Sequence, residues 1–338
     1  MSNYLNIFPL ASLSSVRVIN LGSTTPKFGG TVNLTYFSNL SAFYGGNNNI
    51  TGLSGYSNLN NLNVLSFLGG NTLSFNLSSL PTNLKILEIT GSGANQNRIF
   101  GNMISIPRNL TFYRVEGNNT TSGNLEDLPS TLTSYTNIGS LTLGSAQTVT
   151  GNISALPAMI KFDCQGRNTT TGDISSLKVG MWQYINVGLN TTTGNIEFLP
   201  NAMYYYDNRG LNTCYGNLTG LPPGIRTFVS GGNSEGLYYY DGRVLGYGTY
   251  FPFSLANEMR NISLTPGVGR RQMQDYELAT LLVDLTAINN WDPNPSLRTF
   301  TANLRNPSIS IASFPLAYQA YQYLVNVKGV AVSVNFVP

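Results

Sequence analysis

The chain has 338 residues, with 35 Gly, 20 Tyr, 16 Phe and no His; charged residues make up 10% and the formal net charge is +3. Soluble domains carry about 25% charged residues, and a balance this near neutrality predicts no nucleic-acid partner. Without His, a Ser-His-Asp triad and a His-ligated zinc or iron centre are impossible, and no cofactor or metal is expected. Hydrophobic content of 41% supports a packed core. Asn, Ser, Thr and Gly replace the missing charges, which suits a neutral hydrogen-bonding surface that meets proteins or sugars. Cys164 and Cys214 fit neither a CxxC pair nor a disulfide framework and read as buried small hydrophobes. No apolar run reaches the ~18–20 residues of a membrane span, so no membrane insertion is expected. Residues 1–16, MSNYLNIFPLASLSSV, lack the basic start of a signal peptide.

Residues 1–15 read as an N-terminal edge whose apolar members are Tyr4, Leu5, Ile7 and Phe8. A repeat then occupies residues 16–231. The block G-N-[IL]-x-x-L-P recurs from Gly101, Gly123, Gly151, Gly194 and Gly216, with variants from Phe75 and Gly172. Each is followed by a Φ-x-x-Φ-x-Φ element, as in Leu62/Leu65/Phe67, Leu110/Tyr113/Val115 and Met159/Phe162/Cys164. From Leu40 the first members step by 22, 22, 26, 22, 27, 22, 22 and 22 residues. An L-x-x-L-x-L core at a period within about 20–29 residues fits the leucine-rich repeat. The fold predicted is an α/β repeat, a solenoid of about ten units with one parallel sheet. The Φ positions face inward and the G-N block returns the chain. Extra residues near 90–100 and 138–150 should bulge as loops. The N-x-[ST] triplets, such as Asn152-Ile-Ser and Asn217-Leu-Thr, belong to the repeat rather than marking glycans.

Residues 232–338 read as a C-terminal capping domain. Paired aromatic runs around Asp241-Gly242 predict a hairpin over 236–253. Tyr276, Leu278, Leu281, Leu282 and Leu285 fall at helical spacing. A strand-like RTFTANL, a helix around 313–328 and a final VAVSVNF complete a helix-strand-helix-strand cap. The segment carrying Leu281-Leu282-Val283-Asp284-Leu285 and Lys328-Gly329-Val330-Ala331-Val332 resembles the C-terminal element of leucine-rich-repeat virion proteins of phages and prophages of Bacteroidota (Flavobacterium-like hosts). It departs where that family has Gly-Asn and this chain has Arg305-Asn306-Pro307. The resemblance implies a spike or tail fibre at the virion surface that recognises the host cell.

Side chains flanking the inward positions should line the concave face of the sheet. In a chain so poor in charge, Arg114, Glu116, Lys161, Asp163, Asp207 and Arg209 stand out there, with Phe112 and Tyr205 as stacking platforms. The competing reading is a set of cross-strand ion pairs, each contributing little on an open surface. Glu116, Asp163 and Asp207 permit a glycan-degrading enzyme, which needs only two acids about 5–9.5 Å apart, but no motif supports one and no enzyme is expected. The partners expected are a host cell-surface glycan or outer-membrane protein, other virion proteins, and further copies of the chain, a homotrimer being favoured. A structural capsid or tail decoration without a receptor role is the alternative.

Overall fold

The computed structural model describes residues 13–22, 27–91, 97–117, 119–139, 148–234, 237–238, 261–266, 273–288, 291–302 and 308–338. The chain divides into two compact units, Met1–Gly151 with Ala155–Thr169, and Asn152–Ser154 with Thr170–Pro338. Each is a parallel-strand solenoid.

In the first unit seven strands pair in chain order: Val18–Asn20, Ala42–Tyr44, Val64–Leu68, Ile86–Thr90, Phe112–Gly117, Ser134–Gly139 and Lys161–Gln165. Every pair is parallel and in step with the repeat, so Leu65 meets Leu87, Leu87 meets Tyr113, and Tyr135 meets Phe162. In the second unit Gln183–Val187, Tyr205–Arg209 and Thr227–Ser234 pair the same way, and Asn261–Pro266, Thr299–Ala302 and Ala331–Ser333 extend the ladder, still parallel. The predicted units and their inward register are therefore present.

The inward columns are sealed. Leu62, Leu84, Leu110 and Leu132 in the first unit, and Met181 and Met203 in the second, are fully buried. Beside them run stacked rings: Tyr113 on Tyr135 at 5.1 Å and Tyr135 on Phe162 at 5.7 Å in the first unit, then Tyr184 on Tyr206 at 5.7 Å and Tyr206 on Phe228 at 5.3 Å in the second. Burying such a side chain contributes roughly 1.5–3 kcal/mol. One such residue per column per turn makes the repeat the main source of stability. Tertiary packing, not local propensity, selects the ladder, because each turn can hide its apolar edge only against a neighbouring turn.

The G-N-[IL]-x-x-L-P block does more than return the chain. The residues before it form a second parallel ladder, with Ser74–Asn76, Arg98–Asn102 and Thr120–Asn124 in the first unit and Thr191–Asn195 and Thr213–Asn217 in the second. The block's Asn ends the strand and caps a 3₁₀ turn: the side-chain oxygen of Asn195 accepts from the Glu197 N–H at 2.9 Å, and that of Asn217 from the Thr219 N–H at 3.1 Å. Its Leu, Ile or Met is buried, as at Met103, Ile196 and Leu218. The Gly is obligatory. Gly194 has φ +121, and a Cβ there would overlap the Asp173 carboxylate of the preceding turn. The same capping role occupies Asn152, whose side chain accepts from the Ser154 N–H at 2.9 Å, which is why N-x-[ST] recurs.

In the C-terminal region, helices Asp275–Leu285 and Pro315–Asn326 pack on each other. Most of the segment 236–253 predicted as a hairpin, and the loops near 92–96 and 141–147, lie outside the described residues. The one described strand there, Leu237–Tyr238, pairs in parallel with Gly216 and Asn217.

Candidate binding surface

Alternation along a strand sends every second side chain to the outer face of the ladder. In the first unit the outer face has three rows. One runs Ile86, Phe112, Ser134, Lys161; the next Glu88, Arg114, Thr136, Asp163; the third Thr90, Glu116, Ile138, Gln165. Phe112, Arg114, Glu116, Lys161 and Asp163 thus share one patch. Arg114 sits at its centre, with its Nε donating to Glu116 at 2.7 Å and an Nη to Glu88 at 3.1 Å. Glu88 in turn accepts from the Ser66 hydroxyl at 3.1 Å. The hydrogen bond to Glu116, then the further carboxylate contacts, hold the Arg114 guanidinium above its ordinary range of pKa, so it is a permanent cation.

Asp163 is buried, and Lys161 lies 3.8 Å from it while the Gln165 amide donates to it at 2.8 Å. Ser66, Thr136 and Asp163 in the middle row are buried and form a floor, whereas Glu88 and Arg114 of that row, with Phe112, Glu116 and Lys161, stand half-buried. Asp163 thereby holds the Lys161 and Gln165 side chains on either side of it.

The second unit repeats this plan with different residues. Its rows are Gln183, Tyr205, Thr227 and Ile185, Asp207, Val229, with Val187 beside Arg209. Asp207 is floor, buried among Ile185 and Val229. Arg209 reaches over it with two bonds of 2.7 Å, Nε to one carboxylate oxygen and Nη to the other. Burial pushes the Asp207 carboxyl up, and the Arg209 bonds pull it part of the way back. Tyr205 stands half-buried beside this pair. Of the cross-strand ion pairs of the competing reading, Arg114–Glu88 is present in the first unit, whereas Arg114–Glu116, Lys161–Asp163 and, in the second unit, Asp207–Arg209 join residues two apart on one strand. They leave a rigid, almost neutral surface with ring edges and paired charges at fixed spacing.

Sequence reasoning did not single out Trp182 and Arg226 beside the tyrosine run, nor the polar groups beneath the surface. At the rim of the second unit Trp182 stacks on Tyr204 at 4.6 Å, and the Arg226 guanidinium lies over the Tyr204 ring at 5.9 Å. Of the run Tyr204-Tyr205-Tyr206, the last ring is in the core and the first two are half-buried. Beneath the surface runs a polar ladder. The Asn208 amide donates to Tyr206 at 3.0 Å and to the Thr192 hydroxyl at 2.9 Å, and Asn186 and Asn137 make the same pair of bonds with Tyr184 and Thr170, and with Tyr135 and Thr121. A second buried column, Asn190 and Asn212, ties the turn to the strand through Asn186 and Asn208 carbonyls at 2.9 and 2.7 Å. The N-T-T-T-G of residues 168–172 and 190–194, with N-T-T-S-G at 119–123, was the signal for these buried polar columns.

Cys164 and Cys214 are buried and form no disulfide. Among the described residues no group of three or more His, Cys, Asp or Glu side chains is placed to hold a metal ion, and no helix is long and apolar enough to cross a membrane.

No protein-family profile matches the chain, and no curated protein does so at significance. Among solved structures, a plant peptide hormone receptor, RGFR1 in complex with RGF2, is similar with a TM-score of 0.58 and 18% identity, over 97% of this chain and 49% of the receptor chain. The chain thus spans about half the length of that receptor. A leucine-rich-repeat protein of Leptospira interrogans matches with a TM-score of 0.43 and 14% identity, over 89% of this chain and 75% of its own. The fold is that of a leucine-rich-repeat solenoid.

Proposed function

We propose that this chain is a non-catalytic recognition protein of a phage virion surface, a spike or tail fibre, binding a host cell-surface glycan or outer-membrane protein through the outer face of its ladders. The observation that carries the reading is the construction of that face. Each unit holds half-buried rings, Phe112 or Tyr205, beside charges locked by neighbours on a parallel ladder. A surface ordered before binding loses little conformational entropy on association, and paired charges offer directional donors and acceptors to a neutral ligand without attracting polyanions. The plant receptor of the same fold is described in complex with a peptide-hormone partner, which supports binding as a use of this scaffold. The virion context rests on the resemblance of the C-terminal segment and on a charge-poor, adhesin-like composition.

The test is adsorption of fluorescently labelled full-length protein to a panel of Flavobacterium and other Bacteroidota cells. Saturable binding to a subset of strains, competed by their surface polysaccharide or lost on protease treatment of the cells, is expected. Absence of binding to every strain, with the protein still present on purified particles, favours the structural-decoration reading.

A further inference from the structure

Away from the outer face, the second unit holds a loop whose hydrogen bonds converge on a single peptide bond. Trp291 and Asp292 are buried and residues 293–297 are exposed, so the chain leaves the core at Asp292–Pro293, the only Asp-Pro pair in the sequence. The Asp292 Oδ1 accepts from the Asn294 N–H at 2.8 Å, and the Asn294 side chain caps the 3₁₀ turn Pro295–Leu297 by accepting from the Ser296 N–H at 3.1 Å. The first of these bonds is an Asx turn, which folds the carboxylate back along its own main chain. Arg298 closes the loop. Its Nε donates to the main-chain oxygen of Asp292, one Nη to that of Pro293 at 3.3 Å and the other to that of Lys328 at 2.7 Å. Arg114 and Arg209 are directed at carboxylates, whereas the Arg298 guanidinium is directed at three main-chain oxygens, one of them the carbonyl of the Asp-Pro bond itself.

We propose that Asp292–Pro293 is a self-cleaving peptide bond, with the Asp292 carboxylate as nucleophile and Arg298 as the group that stabilises the oxyanion. The carboxylate oxygen attacks the carbonyl carbon of its own residue and closes a five-membered ring. Negative charge then moves onto the Asp292 main-chain oxygen, where the Arg298 Nε–H already points; a donor fixed on a developing oxyanion lowers the barrier without reorganisation. As the tetrahedral centre collapses, the C–N bond breaks and its electron pair goes to the Pro293 nitrogen. That nitrogen takes a proton from solvent, which reaches it because Pro293 is exposed. Proline suits the leaving position: its amide nitrogen is tertiary and carries no N–H, and it departs as a basic secondary amine, the new N-terminus. Asp292 is left as a cyclic anhydride, which one water opens to two carboxylates. The sum is hydrolysis of one peptide bond, with one water consumed and no change of oxidation state. It is a single turnover, separate from the recognition surface. The pieces 1–292 and 293–338 stay together afterwards, because strand Thr299–Ala302 pairs with Asn261–Pro266 and helix Pro315–Asn326 packs on helix Asp275–Leu285.

The test holds the full chain in mildly acidic buffer, which supplies the proton, and follows it by denaturing electrophoresis, with mass spectrometry of the new N-terminus. An unfolded Asp-Pro bond has an acid lability of its own, so the same protein unfolded in urea is the reference. The native chain is expected to be cut between Asp292 and Pro293 at least about 10-fold faster than the unfolded one, since a single oxyanion donor is worth ~10²–10³ in rate. Arg298→Ala should slow the native cut by about 10-fold or more, and Asp292→Ala should abolish it, with circular dichroism checking that both variants fold. Where Arg298→Ala does not fold, the comparison of native with unfolded wild type decides by itself. A native rate no higher than the unfolded rate overturns the proposal and leaves Arg298 a clamp of the loop. A folded Arg298→Ala variant cut as fast as wild type overturns it as well, as does a cut that survives Asp292→Ala.

Discussion

The pair Asp207–Arg209 offers the sharpest test of the idea that the outer face is a floor of buried groups with exposed residues held above it. The Asp207 side chain is 4% exposed and that of Arg209 is 54% exposed, and two 2.7 Å bonds join them. Because Arg209 is largely in water, the pair itself contributes no more than about 1 kcal/mol. Removing Arg209 is a different perturbation, since it leaves a carboxylate in a buried position without its main partner. Arg209→Ala should therefore destabilise by roughly 1–3 kcal/mol, whereas Asp207→Asn, which removes the buried charge, should stay within about 1 kcal/mol of wild type. The pH dependence has a definite sign. The folded-state pKa of Asp207 is raised, so its protonated form is the one that favours folding. That contribution is complete below the unfolded carboxylate range near ~3.9 and is lost as pH rises through the folded value. Loss of Arg209 raises the folded value further, so the penalty of Arg209→Ala should be largest at neutral pH and shrink toward pH ~4. Urea unfolding followed by tryptophan fluorescence reads this directly, because Trp182 and Trp291 both lie in the second unit. An Arg209→Ala variant as stable as wild type at neutral pH, or a larger loss in Asp207→Asn, would refute the reasoning.

Three further outcomes follow from the interior. Asn208→Ala removes the amide that donates to the Tyr206 and Thr192 hydroxyls, leaving Tyr206 only its contact with the Cys214 thiol, and should lower unfolding free energy by roughly 1–3 kcal/mol, measured by urea titration. Gly194→Ala meets the Asp173 carboxylate at φ +121, while at Gly180 a Cβ has nothing within 4 Å; the first should cost roughly 1–3 kcal/mol and the second should be close to neutral, compared by thermal unfolding. Burial pushes the Cys214 thiol up to about 11, so neither it nor buried Cys164 should react with a thiol reagent at pH 8 until denaturant is added.

The solenoid was legible because its signal is energetic and periodic. Leu62, Leu84, Leu110 and Leu132 recur at nearly the spacing of one turn, and each must be buried against the next. The outer-face rows followed from the same register, since alternation along a strand leaves no freedom once the inward positions are known. What was not legible depends on small polar residues. Thr170 and Thr192 are buried strand residues bonded to Asn186 and Asn208, yet Thr-Thr-Thr-Gly has the composition of a solvent loop. The depth of Asp163 and Asp207 was also hidden. Alternation tells which face a side chain takes, but whether it lies on the floor or at the top depends on the size of the neighbours flanking it. Because of that depth Arg209→Ala disturbs stability, so Tyr205→Ala is the cleaner probe of the second unit.

The central claim, recognition through the outer face, is tested most directly by the affinity of full-length protein for cells of an adsorbing strain. Phe112→Ala probes the first unit and Tyr205→Ala the second, with Val179→Ala, at a position 85% exposed and outside the ladder strands, as the control. At least one of the two ring variants should bind about 10-fold or more weakly, a loss of about 1.4 kcal/mol or more, with unchanged unfolding curves, and the control should match wild type. Equal affinity for all four proteins would contradict the account and move recognition away from the ladders.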